Sequence, residues 1–207
     1  DGDQKESPYF KHPDFYNMKS TSTLTLLPKF KTIQQTSEWS CGVDSALMVL
    51  QYYGKLGEYN EETLAQFRTN KLKSEATSLK SMIQIFEEVG GFKIHSTYDY
   101  KESEYEKISL SMIQDYLKKG IPVMVAWNDW GGHWQVIIGY DTMGTETTQD
   151  DVLIVADSYD TTDHNQDGYG IYPAERFYYN WTMYDFFTKN YDVAERDKLF
   201  IAVEPEV

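Results

Sequence analysis

The order of periodicities along the chain predicts an α+β fold. Segments with apolar residues at helical spacing come within the first 120 residues, and short apolar runs of strand length cluster after them. Within 207 residues no linker-like stretch separates two globular halves, so a single core is expected. Residues 1–23, alternately polar and aromatic, read as an irregular arm, and residues 24–207 as one domain. The N-terminal helical part is expected to pack on the C-terminal strands.

Leu24 to Phe30 reads as a short strand broken near Pro28. Val43 to Tyr53 carries apolar residues at helical spacing and stops at Gly54, with Ser40 as N-cap. A helix capped by Asn60 follows to Phe67, and Ser78 to Val89 forms another that ends at Gly90-Gly91. Phe92 to Ser96 alternates like a strand. Ser109 caps a further helix, which turns Leu110, Met112, Ile113, Tyr116 and Leu117 inward and ends at Gly120. Ile121 to Trp127, His133 to Asp141 and Asp151 to Ser158 read as strands. The last two are joined by the polar segment Thr142 to Asp150, which suggests a long-tipped hairpin. Pro173 opens a short helix through Phe177, and Leu199 to Val203 gives a final strand.

The single cysteine, Cys41, falls in the first turn of the Val43–Tyr53 helix. Unpaired backbone N–H groups and the helix dipole at that end favour a thiolate. The alternative reading is a small hydrophobe packed in the core, and position alone does not separate the two. Downstream residues do. Gly131-Gly132-His133-Trp134 places a histidine at the start of a strand, and the next strand ends at Asp157. The hairpin brings Asp157 toward His133, so nucleophile, base and orienting acid occur in that order. Asp160 is a rival acid, but it lies beyond the strand end. His12 and His164 lie in polar loops, and His95 alternates outward and reads as solvated.

These residues resemble the papain-like cysteine peptidases, in particular the group typified by the double-glycine leader peptidases of bacteriocin exporters. The resemblance rests on Gln35 six residues before Cys41, the Cys41-Gly42 pair, the Gly132-His133-Trp134 strand start and Asp157. It implies a helical part packed on an antiparallel sheet, and hydrolysis of peptide bonds. It further implies that Cys41 attacks the carbonyl, His133 moves the proton, Asp157 orients the ring, and the Gln35 amide with the Cys41 N–H forms the oxyanion hole. The family usually has Asp-Pro where this chain has Asp157-Ser158. Two other readings remain open at this stage: a non-catalytic peptide-binding module on the same fold, and a transglutaminase-like acyl transferase.

A net charge of −14, from 33 acids against 19 Lys and Arg, disfavours a nucleic-acid partner and favours solubility over a dedicated cationic substrate. A peptide or protein substrate is the expected partner, and the oligomeric state is not readable. No apolar run reaches membrane-spanning length, and one cysteine excludes an internal disulfide. The start at Asp1, without Met, reads as a trimmed or mature chain; removal of a signal peptide would make it an exported, extracellular protein, as for the bacterial group it resembles, and the sequence does not decide the compartment. No cofactor is expected. Asp163, Asn165, Asp167 and Gly168 match the first half of a calcium loop, but Ala174 stands where a bidentate Glu belongs. An Asx-rich turn is the preferred reading, so no metal is assigned. Trp39 and Trp134 flank nucleophile and base, as cleft lining or as core.

Overall fold

The computed structural model describes residue 9 and residues 11–71, 74–129, 132–160, 165–183 and 192–207. Gly131, Asp163 and His164 lie outside the described residues. Strand β1 (Leu24–Leu26) is followed by helices α1 (Cys41–Tyr52), α2 (Glu61–Ala65) and α3 (Leu79–Val89). Strand β2 (Phe92–Ser96), helix α4 (Leu110–Lys118) and strands β3 (Val123–Trp127), β4 (His133–Asp141), β5 (Val152–Ala156) and β6 (Tyr169–Pro173) come next. Helix α5 (Ala174–Tyr179) and strand β7 (Leu199–Pro205) complete the order. Short 3-10 turns occupy Thr97–Asp99, Glu102–Lys107 and Val193–Glu195.

The strands form one seven-stranded sheet, β2-β7-β3-β4-β5-β6, in which every pairing is antiparallel. β1 joins through the far end of β4, pairing Leu24 with Asp141. β4 and β5 form the expected hairpin, with a register shift between Ile137 and Gly139. Gly139 is required at that irregularity, since a Cβ there would lie 2.8 Å from Leu26 Cδ1. β6 was not foreseen. It adds to β5 along its whole length, from Val152 opposite Pro173 to Ala156 opposite Tyr169. Its Pro173 is tolerated because β6 ends the sheet, where one side of the strand needs no ladder bonds.

α1 is the central helix. Every residue from Cys41 to Leu50 is buried, so it is enclosed all round rather than along one stripe. It packs chiefly on β4. Each fully buried Val or Leu here contributes roughly 1.5–3 kcal/mol. The close approach depends on Gly42: a Cβ would come within 2.8 Å of Thr77 Cβ and 3.1 Å of Trp134 Cδ1. Ser40, expected to cap α1, makes no side-chain cap bond. Its hydroxyl donates to Ser37 O at 2.9 Å, and its backbone lies outside the extended region that a capping side chain needs. The other caps form as expected: Asn60, Ser78 and Ser109 each accept from the third helical N–H. Among the described residues no helix is long and apolar enough to cross a membrane.

Candidate active site

Three elements meet at one end of the sheet. α1 begins at Cys41, β4 begins at His133, and Asp157 follows the last residue of β5. Extending the β4–β5 register one step past Val136–Ala156 sets Asp157 opposite Gln135, with His133 next along the same face. His133 Nε2 donates to Asp157 Oδ1 at 2.6 Å. The remaining ring nitrogen is left for the Cys41 sulfur, with which the ring is hydrogen-bonded. His133 is 5% exposed and Cys41 6%.

Burial opposes charge on the imidazole, but the hydrogen bonds and charges of Asp157 and Cys41 outweigh it. Together they push His133 from its ordinary value up to about 10. At neutral pH the ring therefore carries its proton. Asp157 also accepts the Tyr159 N–H on Oδ1 at 2.9 Å and the Gln135 amide on Oδ2 at 2.7 Å. The Gln135 amide is itself oriented, because Trp127 Nε1 donates to its oxygen at 2.7 Å and leaves the NH2 for the acid. Gln135 Nε2 and the Tyr172 hydroxyl also lie 3.4 Å from Asp129 Oδ2. Burial raises that second carboxylate above its ordinary value, while the His133 charge opposes the rise.

A cavity of about 480 Å³ opens over Cys41 and His133. Its remaining wall is the Gln35–Glu38 segment, Gly132 and Tyr159. Gln35 is fixed at both ends. Its N–H donates to Ser158 O at 2.8 Å, and the Ser158 hydroxyl donates to its Oε1 at 2.7 Å. One hydrogen of Nε2 goes to Ser37 O at 2.7 Å, which leaves the second for another acceptor, and Gln35 lines the cavity. Ser158, which stands where Pro is usual, thus decides which end of the Gln35 amide points where. A proline could not do this.

All four residues singled out from the sequence, Gln35, Cys41, His133 and Asp157, lie in this one assembly. The rivals lie elsewhere. Asp160 Oδ2 accepts the Gly168 N–H at 3.0 Å. His12 Nε2 is 2.6 Å from Asp167 Oδ2. His95, expected to be solvated, is half-buried, its ring 5.7 Å from that of Tyr116 and its Nε2 3.7 Å from Glu204. The helix α4 beside β2 covers what alternation alone placed in water. Asp163 of the candidate calcium loop is outside the described residues. Asp167 accepts the Tyr169 N–H at 3.1 Å, which is an Asx turn. Trp134 is core, its Nε1 donating to Thr77 O at 2.8 Å. Trp39 is half-buried beneath the Arg68 guanidinium, 4.9 Å from its ring centroid.

Gln135, Trp127, Tyr159 and Ser158 escaped sequence reading. The usable signal was small: Gln135 is a polar residue two positions after His133 in an otherwise apolar strand.

A model described as the Peptidase_C39-like family matches residues 28–188. The chain belongs to that family. Family and fold together make it a cysteine peptidase by class. The peptidase domain of Streptococcus ComA, a bifunctional ABC transporter involved in a quorum-sensing pathway, has a similar structure. Its TM-score is 0.53 at 17% identity, over 86% of this chain and 99% of that one. UfSP from C. elegans gives a TM-score of 0.50 at 13% identity, over 94% of this peptidase but only 37% of that chain. At these identities the likeness is one of fold. Helices packed on an antiparallel sheet, the papain-like arrangement, are what the peptidase shares with the ComA domain. A search of curated proteins gives no match.

Proposed function

We propose that the peptidase hydrolyses peptide bonds with Cys41 as nucleophile, His133 as proton carrier and Asp157 as the group that orients the ring. In this reading the Gln35 amide and the Cys41 N–H receive the oxyanion. The observation that carries it is the unbroken line Asp157–His133–Cys41 at the floor of a cavity walled by Gln35. The Cys41 sulfur attacks the scissile carbonyl and the carbonyl oxygen takes up negative charge. His133 gives its proton to the departing amine as the C–N bond breaks, leaving a thioester on Cys41. Water then attacks the thioester, His133 takes a proton from it, and the acid leaves with the thiol regenerated. Three donors on Asp157 keep its carboxylate still, so the ring it holds stays aligned through both halves. Water as the acceptor, rather than an amine, separates this reading from a transglutaminase-like transferase.

The test is labelling by a thiol-directed peptidyl probe together with a cleavage profile on a peptide library. Cys41 is expected to be the labelled residue, with labelling strongly reduced in His133→Ala. Cleavage is expected to vanish in Cys41→Ala. Equal labelling with and without His133, or a wild type that cleaves no peptide, would sink the catalytic reading and favour a binding module.

A further inference from the structure

One buried acid takes no part in this chemistry. Asp44 lies one turn after Cys41 on α1 and is 1% exposed. No aligned donor reaches either of its carboxylate oxygens. The groups that face it are Glu61 from α2, Ser40 from the preceding loop and Cys41 on its own helix. Ser40 has one hydroxyl proton, which lies on the Ser37 carbonyl side at 2.9 Å. An ionised carboxylate left this way is among the costliest things a core can hold. A proton of its own removes the cost, because a carboxylic acid can donate to the neighbouring Glu61 carboxylate.

Glu61 in turn grips the cavity wall. It accepts the Thr36 hydroxyl at 2.6 Å and the Thr36 N–H at 3.3 Å from each oxygen. Thr36 is the residue between Gln35 and Ser37. The segment that presents the Gln35 amide is therefore tied to Ser158 on one side and to Glu61 on the other.

We propose that Asp44 and Glu61 share a proton, Asp44 neutral and Glu61 charged, and that this pair holds the Gln35–Cys41 segment in place until alkaline pH ionises Asp44 and frees it. Asp44 and Glu61 are thus positioning residues acting through Thr36. The proposal rests on the reading of Gln35 as an oxyanion donor.

The electrostatics agree. Burial, then Glu61 and Cys41, push Asp44 from 3.8 up to about 9 against the opposing Ser40 contact. Burial alone would raise Glu61 as well, but the nearby Ser40 hydroxyl, the Thr36 bonds and a proton on Asp44 outweigh it and hold Glu61 below its ordinary value. Loss of the Asp44 proton would set two carboxylates side by side.

Three measurements test this. The infrared difference spectrum of wild type minus Asp44→Asn at neutral pH should contain the C=O band of a protonated carboxyl, and its absence overturns the proposal. Asn also donates to Glu61 but does not titrate. Between its unfolded and folded values the native Asp44 binds a proton that the unfolded chain has lost, so wild-type stability falls from about pH 4 to about pH 9. The Tm advantage of Asp44→Asn should therefore widen between pH 5 and pH 9, by on the order of 5 °C. A constant gap overturns the pair. Finally, Glu61→Ala should lower kcat/KM about tenfold, less than outright loss of an oxyanion donor, while iodoacetamide alkylates Cys41 at the wild-type rate. Equal losses in both assays, or none in either, overturn the positioning role. A wild type that cleaves no peptide defeats the peptidase reading instead, and the infrared and melting results then judge the acid pair.

Discussion

Asp157 and Asp44 are equally buried, each 1% exposed, and both belong to the surroundings of Cys41 and His133. Around Asp157 three donors converge, from His133, Gln135 and the Tyr159 backbone, so a carboxylate is fully satisfied there. Around Asp44 neither oxygen has an aligned donor, and the side chain that most raises it after burial is another acid, Glu61. The same side chain at the same depth is thus held as a hydrogen-bond acceptor in one place and driven toward a neutral donor in the other. Depth alone decides neither state. What decides is which groups arrive from other elements: β4 supplies two donors to Asp157, beside the Tyr159 N–H of its own segment, while α2 offers Asp44 only a carboxylate.

The comparison is sharpest under one substitution made at both sites. Asp157→Asn is expected to lower kcat/KM by about 10³–10⁴-fold, with a small change in Tm, because it leaves the shape intact but sets the wrong proton on the His133 ring. The same change at Asp44 should raise Tm at pH 8–9. Matching activity losses at the two positions would break the contrast.

Next in size is removal of one donor from Asp157. Gln135→Met fills the same volume but leaves Oδ2 without its 2.7 Å partner. Such a loss costs about 1–3 kcal/mol, so a fall in kcat/KM of roughly tenfold is expected, with KM nearly constant. A pH–rate profile gives the readout that mere destabilisation would not move. A carboxylate relieved of that donor holds the ring proton more strongly, so the fall in activity caused by deprotonating His133, near pH 10 in wild type, should move to higher pH. An unchanged profile would remove Gln135 from the assembly.

Smallest is the effect on the approach of α1 to β4, which both acids share. Gly42→Ala places a methyl 2.8 Å from Thr77 Cβ, so Tm is expected to fall by roughly 2–8 °C, the range for overpacking by about 1–2 kcal/mol. A Tm equal to wild type would mean that Thr77 and Trp134 give way without cost.

Much of the fold could be read because its signals are local. Helix periods, the Asn60, Ser78 and Ser109 caps and the glycine stops at Gly54, Gly90 and Gly120 depend on residues within a few positions of one another. β6 could not be read in this way, since Tyr169–Pro173 contains Gly and Pro and becomes a strand only through pairing with β5. Ser40 misled for the opposite reason: its type suits a cap, but a contact to Ser37 claims its hydroxyl.

At the site, the order of Gln35, Cys41, His133 and Asp157, and the helix start and strand start that carry two of them, were legible from the residues alone. Those are properties of short segments, and short segments state them. Which groups complete them depends on contacts that exist in the folded chain alone. Gln135 meets Asp157 because of the β4–β5 register, Ser158 meets Gln35 across 123 positions, and Glu61 meets Asp44 across a loop. The protonation state of a buried group follows from the donors and charges gathered around it. In this peptidase those come from several elements, Cys41 and Asp157 for His133 and α2 for Asp44, so only the folded chain sets His133 charged and Asp44 neutral at the same pH.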